Sequence, residues 1–157
     1  MSAREIEKNI FSTFAEIASA IGYSEIHGRI IAALLVSDKK LSLNELSKKT
    51  GYSLSTISLS LDLLELFGMI KKKKKVGDRK LYVELQGNLL EGLKRAFLIR
   101  IQKSIDETLT KFEEYKESLN KSKDKEDKKV MNTLNILEKE VQRVDKYISL
   151  LTKLKLQ

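Results

Sequence analysis

A mainly α-helical chain with one small β-hairpin is the fold class this sequence predicts, and three observations predict it. Apolar residues recur at steps of three and four over most of the 157 residues. Two of these helical segments meet at a tight glycine turn. A lysine-rich segment follows without a linker, and its strand-like runs flank Gly77-Asp78. A helix-turn-helix followed directly by a hairpin is the order of a winged helix.

The elements follow in order. Ile6, Ile10, Phe14, Ile17 and Ile21 form one stripe of a first amphipathic helix, with Ser2 and Glu5 as a capping box. Gly22 interrupts it and Ser24 is placed to cap the next helix. That helix ends near Asp38 and buries Ile26, Ile30, Ile31, Leu34 and Leu35. A second capping box, Ser42 with Glu45, starts a short helix that Gly51 stops in the left-handed conformation. Tyr52 and Ser53 then lead into residues 54 to 67, where Ile57, Leu61 and Leu64 mark the packed face.

Beyond Gly68 the hairpin is expected. Five consecutive lysines alternate sides in an extended strand, so neither face is expected to be buried, while Leu81, Val83 and Leu85 point inward on the return strand. From Asn88 the chain is helical again, with Leu93, Phe97, Ile101, Ile105, Leu109 and Phe112 along one side. The apolar-free tract from Asn120 to Lys129 reads as a solvated connection. The last helix places Val130, Leu134, Leu137, Val141, Val144, Ile148 and Leu151 on a seven-residue repeat, the pattern of a coiled-coil seam. The expected division is a dimerisation helix over 1–21, a winged helix-turn-helix domain over 22–87 and a helical hairpin for dimerisation over 88–157. With little globular body to cover these helices, a second protomer is expected to do so through Ile10, Phe14, Leu134, Leu137, Val141, Val144, Ile148 and Leu151.

Charge points to the partner. The formal net charge is +8, and residues 71–85 alone carry seven basic and two acidic side chains. Such a concentration suits a polyanion, nucleic acid or an anionic membrane surface. No apolar run reaches the length of a membrane span, and the N-terminus lacks the basic start and apolar block of a signal peptide, so a cytoplasmic protein is expected. The Lys-rich, Cys-free and Pro-free composition resembles thermophile proteomes and suggests a prokaryotic or archaeal host, where the protein would be nucleoid-associated when bound to DNA.

Catalysis finds nothing to use. The chain has no Cys, one His, and neither a Gly-rich phosphate loop nor a dinucleotide fingerprint among seven glycines. Glu113 and Glu114 are neighbours on a charged helix and diverge by about 100°. His27 lacks a second ligand at metal spacing and reads as a local structural group. No enzyme, metal or cofactor is expected.

The helix over 54–67 turns Ser55, Ser58, Leu59 and Asp62 away from its packed face, with Thr56 and Ser60 on the flanks. Small hydroxyl side chains let a helix approach base edges, and an exposed Leu suits thymine methyls. Lys71, Lys72, Lys73, Lys74, Lys75 and Lys80 are expected on phosphates, which position the protein without reading sequence. Arg79, beside the hairpin turn, is placed for a narrow A·T-rich minor groove.

The stretch GYSLSTISLSLDLLELFGMIKKKKKVGDRKLYVEL resembles the helix-turn-helix and wing of MarR-like winged-helix regulators. IGYSEIHGRIIAALLVSDKKLSLNEL and GDRKLYVE narrow the resemblance to the GbsR branch. The resemblance covers residues 10 to 87 well, and the C-terminal helical pair agrees in kind and length. It implies a homodimeric transcriptional repressor on a near-palindromic operator. It also implies DNA contacts from Ser53, Ser55, Thr56 and Ser58, and a wing-tip acid-base pair of Asp78 and Arg79. Many relatives carry Arg where this chain has Leu54 and Leu59, so bidentate guanine contacts are not expected here and an A·T-leaning site is.

Two other classes stay open: a chromatin-type binder of low sequence specificity, and a winged helix used for protein assembly. Some relatives sense quaternary ammonium compounds, which would need an aromatic cage. Phe11, Phe14, Tyr23, Phe97 and Tyr115 are the available rings, though helical spacing favours a core role for most, and a small-molecule effector is left open.

Overall fold

Ser2 and Ser42 each open a helix with a reciprocal capping box, in which the Ser side chain accepts from the Glu N–H and the Glu carboxylate accepts from the Ser N–H. The helices they start are α1 (Ala3–Ala20) and α3 (Leu43–Thr50), with α2 (Glu25–Leu35) between them. A computed structural model describes residues 1–38 and 40–155. The chain divides into two compact units, Met1–Lys94 and Arg95–Gln157.

In the first unit α2 lies at the centre, in contact with α1, α3 and α4 (Leu54–Leu66) and with β3 (Leu81–Leu85). It is accordingly buried nearly all round: Ile26, Ile30, Ile31 and Leu34 as the periodicity expects, but also Ala32 and Ala33. Leu35 is half-buried. Its start departs from expectation, because the Ser24 side chain makes no capping bond. The Ser24 carbonyl instead receives the His27 N–H and faces His27 Nδ1 at 3.1 Å.

The face of α1 that meets α2 is not its isoleucine stripe. Ala15 and Ala18 are the buried residues of α1, and the backbones approach so closely at Gly28 that a Cβ there would lie 2.0 Å from the Phe14 carbonyl oxygen. Small residues permit this crossing. Ile6 and Ile17 are left exposed, and Ile10 and Phe14 half-buried.

The sheet has order β1-β3-β2 and is antiparallel throughout. β2 (Ile70–Lys74) and β3 form the hairpin, while β1 (Lys40–Ser42) sets Leu41 against Val83. This third strand is a finding beyond the sequence reading. The core gathers Ile30, Leu34, Leu46, Ile57, Leu61, Ile70 and Val83, all essentially inaccessible to solvent. Each such side chain contributes about 1.5–3 kcal/mol of burial energy.

The second unit holds most of α5 (Leu89–Leu119) and all of α6 (Lys125–Lys153). Gln102 Nε2 donates to Asp145 Oδ1 at 2.9 Å and Lys116 pairs with Glu138, so the two helices run antiparallel. Leu98, Ile105 and Ile148 form the buried cluster, with Ile101, Leu109 and Val141 packed against it. Leu98 takes the place expected of Phe97, which is exposed. The expected connection over 120–129 is also shorter. Asp124 caps α6, accepting from the Glu126 N–H, and Glu126 and Asp127 suit the positive helix start, so 125–129 are helical.

Candidate nucleic-acid interface

The turn between α3 and α4 is fixed by hydroxyls. Gly51 is left-handed with φ 77°, Thr50 Oγ1 donates to the Leu46 carbonyl at 2.6 Å, and Ser47 Oγ donates to the Tyr52 carbonyl at 2.7 Å. Ser53 then caps α4. Its Oγ accepts from the Thr56 N–H at 3.3 Å and lies 2.7 Å from Thr56 Oγ1 and 3.2 Å from Ser55 Oγ. A linked group of exposed hydroxyls therefore surrounds the first turn of α4.

Ser58 and Leu59 continue this exposed face, and Leu59 is 75% exposed. Leu54 is exposed at the helix start. Ser60 is buried, with its hydroxyl donating to the Thr56 carbonyl at 2.9 Å, so it belongs to the packed side. From Leu54 to Leu66 there is no basic residue, while Asp62 and Glu65 are both exposed.

The hairpin register assigns its lysines to two faces. Ile70, Lys72 and Lys74 stand opposite Leu85, Val83 and Leu81 on the side that carries the buried Val83. Lys71 and Lys73 stand opposite Glu84 and Tyr82 on the other side. The alternation holds, but the expectation that neither face is buried does not. Lys72 is half-buried and ion-paired with Asp62, because α4 supplies the carboxylate that lets a lysine occupy the inner face. On the outer face Lys73 pairs with Glu84 at 2.5 Å, which holds that carboxyl below its usual range; Lys40 and Lys71 add to the effect.

The hairpin tip is broader than a two-residue turn. Asp78 N–H donates to the Lys75 carbonyl at 3.1 Å across Val76 and Gly77, and Gly77 has φ 81°, so the turn centres one residue earlier than Gly77-Asp78. Val76 is fully exposed at the tip. The Asp78 carboxylate accepts from the Lys80 N–H at 3.0 Å and from Tyr82 Oη at 3.2 Å, and the Lys80 bond is the main reason its pKa is lowered. Arg79 and Lys80 are exposed beside it. Burial, with the Asp78 charge behind it, raises the Tyr82 pKa. Lys75 and Lys40 lie over the Tyr82 ring at 4.9 and 5.4 Å from its centroid.

Between α3, the start of α4 and the wing lies an open cleft of about 440 Å³ lined by Ser42, Asn44, Glu45, Ser47, Lys48, Leu54, Lys80 and Tyr82. Asn44, Ser47 and Lys48 are polar groups of this cleft that the sequence reading did not single out. The i, i+4 spacing of Asn44 and Lys48 on α3 was the available signal.

The residues expected at a protomer interface divide sharply. In the first unit Ile10 and Phe14 are half-buried. In the second, Leu134 and Ile148 are buried and Val141 half-buried, whereas Leu137, Val144 and Leu151 are exposed. Tyr23 packs edge-on against Phe67 and His27, with centroids 5.2 and 6.1 Å apart. Burial lowers the pKa of His27, with the Ser24 carbonyl opposing it. Among the described residues no group of three or more His, Cys, Asp or Glu could hold a metal, and no helix is long and apolar enough to cross a membrane.

No protein-family model matches the chain, and no curated protein does. A solved structure described as a transcriptional regulator matches with a TM-score of 0.63 at 19% identity, over 91% of this chain and 92% of that one. The ligand-free form of the organohalide-sensing regulator RdhR-CbdbA1625 matches with a TM-score of 0.43 at 15% identity, over 98% of this chain and 86% of that one. At 19% identity the first likeness is one of fold: this chain is a mainly helical winged helix with a small antiparallel sheet, a fold also found in a transcriptional regulator.

Proposed function

We propose that the chain is a sequence-specific regulator of transcription, a repressor that binds duplex DNA as a homodimer and belongs with the MarR-like proteins of the GbsR branch. The observation that carries this reading is the pairing of an exposed α4 face of hydroxyls and leucine with a wing whose lysines are mostly solvent-facing. Ser53, Leu54, Ser55, Thr56, Ser58 and Leu59 enter a major groove, while Lys71, Lys73, Lys74, Lys75 and Lys80 meet phosphates and Arg79 the adjoining minor groove. The functional division is 1–21 and 88–157 for dimerisation and 22–87 for DNA. The fold of the 19%-identical regulator supports the architecture of this reading.

Dimerisation is supported by the apolar rows that each unit leaves open: Ile6 and Ile17 on α1, and Leu137, Val144 and Leu151 on α6. Two-fold symmetry then puts half-sites about 10 base pairs apart, or a multiple of that. The test is footprinting on the DNA flanking the gene itself. Paired protected half-sites support the reading, and a single unpaired site or a monomer in solution overturns the geometry. Equal affinity for random DNA would favour the chromatin-type binder, and no duplex binding at low salt would favour an assembly module.

A further inference from the structure

α4 poses an electrostatic problem for any helix meant to enter a groove. Between Leu54 and Leu66 it carries no Lys or Arg, yet Asp62 and Glu65 are exposed. Charges within about 8–10 Å of the phosphates are poorly screened, so these carboxylates would repel the duplex. A counter-ion must come from elsewhere, and the hairpin register brings one.

Lys72 stands on the inner side of β2 opposite Val83. Its Nζ pairs with Asp62 Oδ1 and lies 3.9 Å from Glu65 Oε1. Its backbone N–H donates to Glu65 Oε2 at 3.3 Å, so one residue engages both carboxylates of α4. The Lys72 side chain is 24% exposed against 47% for Lys73. Lys74, two residues on, makes no ion pair among the described residues.

Resting on the DNA-binding reading, we infer that Lys72 is a positioning residue and internal counter-ion: its one charge offsets that of Asp62 and, at longer range, part of that of Glu65, leaving one net negative charge where there would be two, it ties the wing to α4, and it does not contact phosphate. The wing thus divides its lysines between two tasks. Those on the outer face and beyond the helix bind the duplex, and the one beneath makes the acidic part of α4 compatible with it.

The test uses the full chain and a mixed-sequence duplex of about 30 base pairs, titrated with KCl. Lys74→Gln should weaken binding and reduce the slope of log affinity against log salt by about one, as loss of a phosphate contact does. Lys72→Gln should weaken binding about five- to tenfold by unmasking two carboxylates, and because salt screens that repulsion the slope should fall by clearly less than one. Adding Asp62→Asn should recover most of the loss in K72Q and none of the loss in K74Q. A slope drop of one in K72Q with no recovery would overturn the assignment and make Lys72 a phosphate ligand. If the wild type binds no duplex, the DNA reading fails by itself, and the pairing is decided by thermal unfolding. There the Tm losses of K72Q and D62N should be less than additive in the double variant, and strictly additive losses overturn the pairing.

Discussion

Leu134 and Leu137 stand three residues apart on α6 and have opposite environments: Leu134 is 8% exposed and Leu137 45%. The same division repeats at Val141 and Val144 and again at Ile148 and Leu151. The seven-residue pattern is therefore two rows, of which α5 covers one. The open row is the dimerisation surface in our reading. Leu137→Glu with Val144→Glu should convert the protein to a monomer in sedimentation velocity while helicity is retained. Leu134→Ala should instead cost about 2–4 kcal/mol in urea unfolding, because it leaves a cavity. A double Glu variant that remained dimeric would remove α6 from the interface.

Gly28 and the Phe14 carbonyl set how closely α1 and α2 cross. Any Cβ at position 28 would lie 2.0 Å from that oxygen, and backbone rather than a flexible side chain must move. Gly28→Ala should destabilise the first unit by about 3 kcal/mol or more. Gly51→Ala meets no atom within 4 Å and carries only the strain of φ 77°, so it should cost about 1 kcal/mol. Comparable losses in the two variants would contradict the close crossing.

Local chemistry was the legible part of the sequence. The two capping boxes and the Gly51 stop each depend on residues within four positions of one another, so spacing reveals them, whereas single serines do not announce themselves: Ser24 has the place of a cap and makes no capping bond, and Ser53 makes one that the sequence reading does not single out. β1 was not legible. It has three residues, too few to show alternation, and exists because Leu41 finds Val83 across the fold. The same limit hid Lys72: a run of five lysines reads as five equivalent charges until register places one of them beside Asp62. The α1 face was misjudged for a related reason, since side-chain size does not announce that Gly28 admits a close approach on the alanine side.

The Ser53 cap ties helix stability to the candidate site. Its Oγ holds the Thr56 N–H and is shared with the hydroxyls of Thr56 and Ser55. Ser53→Ala should cost about 1 kcal/mol in chemical denaturation, whereas Ser58→Ala, on the exposed face, should cost less than about 0.5 kcal/mol. Both should weaken DNA binding. A neutral Ser53→Ala in unfolding would count against the cap.

The capping boxes also predict an acid dependence. Bonds with Ser42, backbone first, hold the Glu45 pKa below its usual 4.5, and bonds with Ser2 do the same for Glu5. A depressed folded-state pKa means that the unfolded chain takes up protons first as pH falls. This stabilisation is complete above the ordinary glutamate range and is lost as pH drops from about 4.5 through the lower folded values. Titration of Tm between pH 6 and pH 3 should show a fall that is reduced in Glu45→Gln. An identical pH profile in the variant would remove Glu45 as a contributor.

Leu59 tests the proposal that α4 reads bases. It is the most exposed residue of the helix's apolar set and sits beside Ser58 on the face turned away from Ile57, Leu61 and Leu64. A leucine there offers only apolar contact, which suits thymine methyls, and no donor for guanine. Leu59→Arg supplies a bidentate donor at the same place and should shift selected sites toward G at one position per half-site, by about 1–3 kcal/mol of discrimination. Leu59→Ser should flatten the A·T preference at that position and leave the salt dependence unchanged, because no phosphate contact is lost. The measurement is selection from a randomised duplex library with each variant. Unaltered base preference in both would place Leu59 outside the groove and require a different docking of α4.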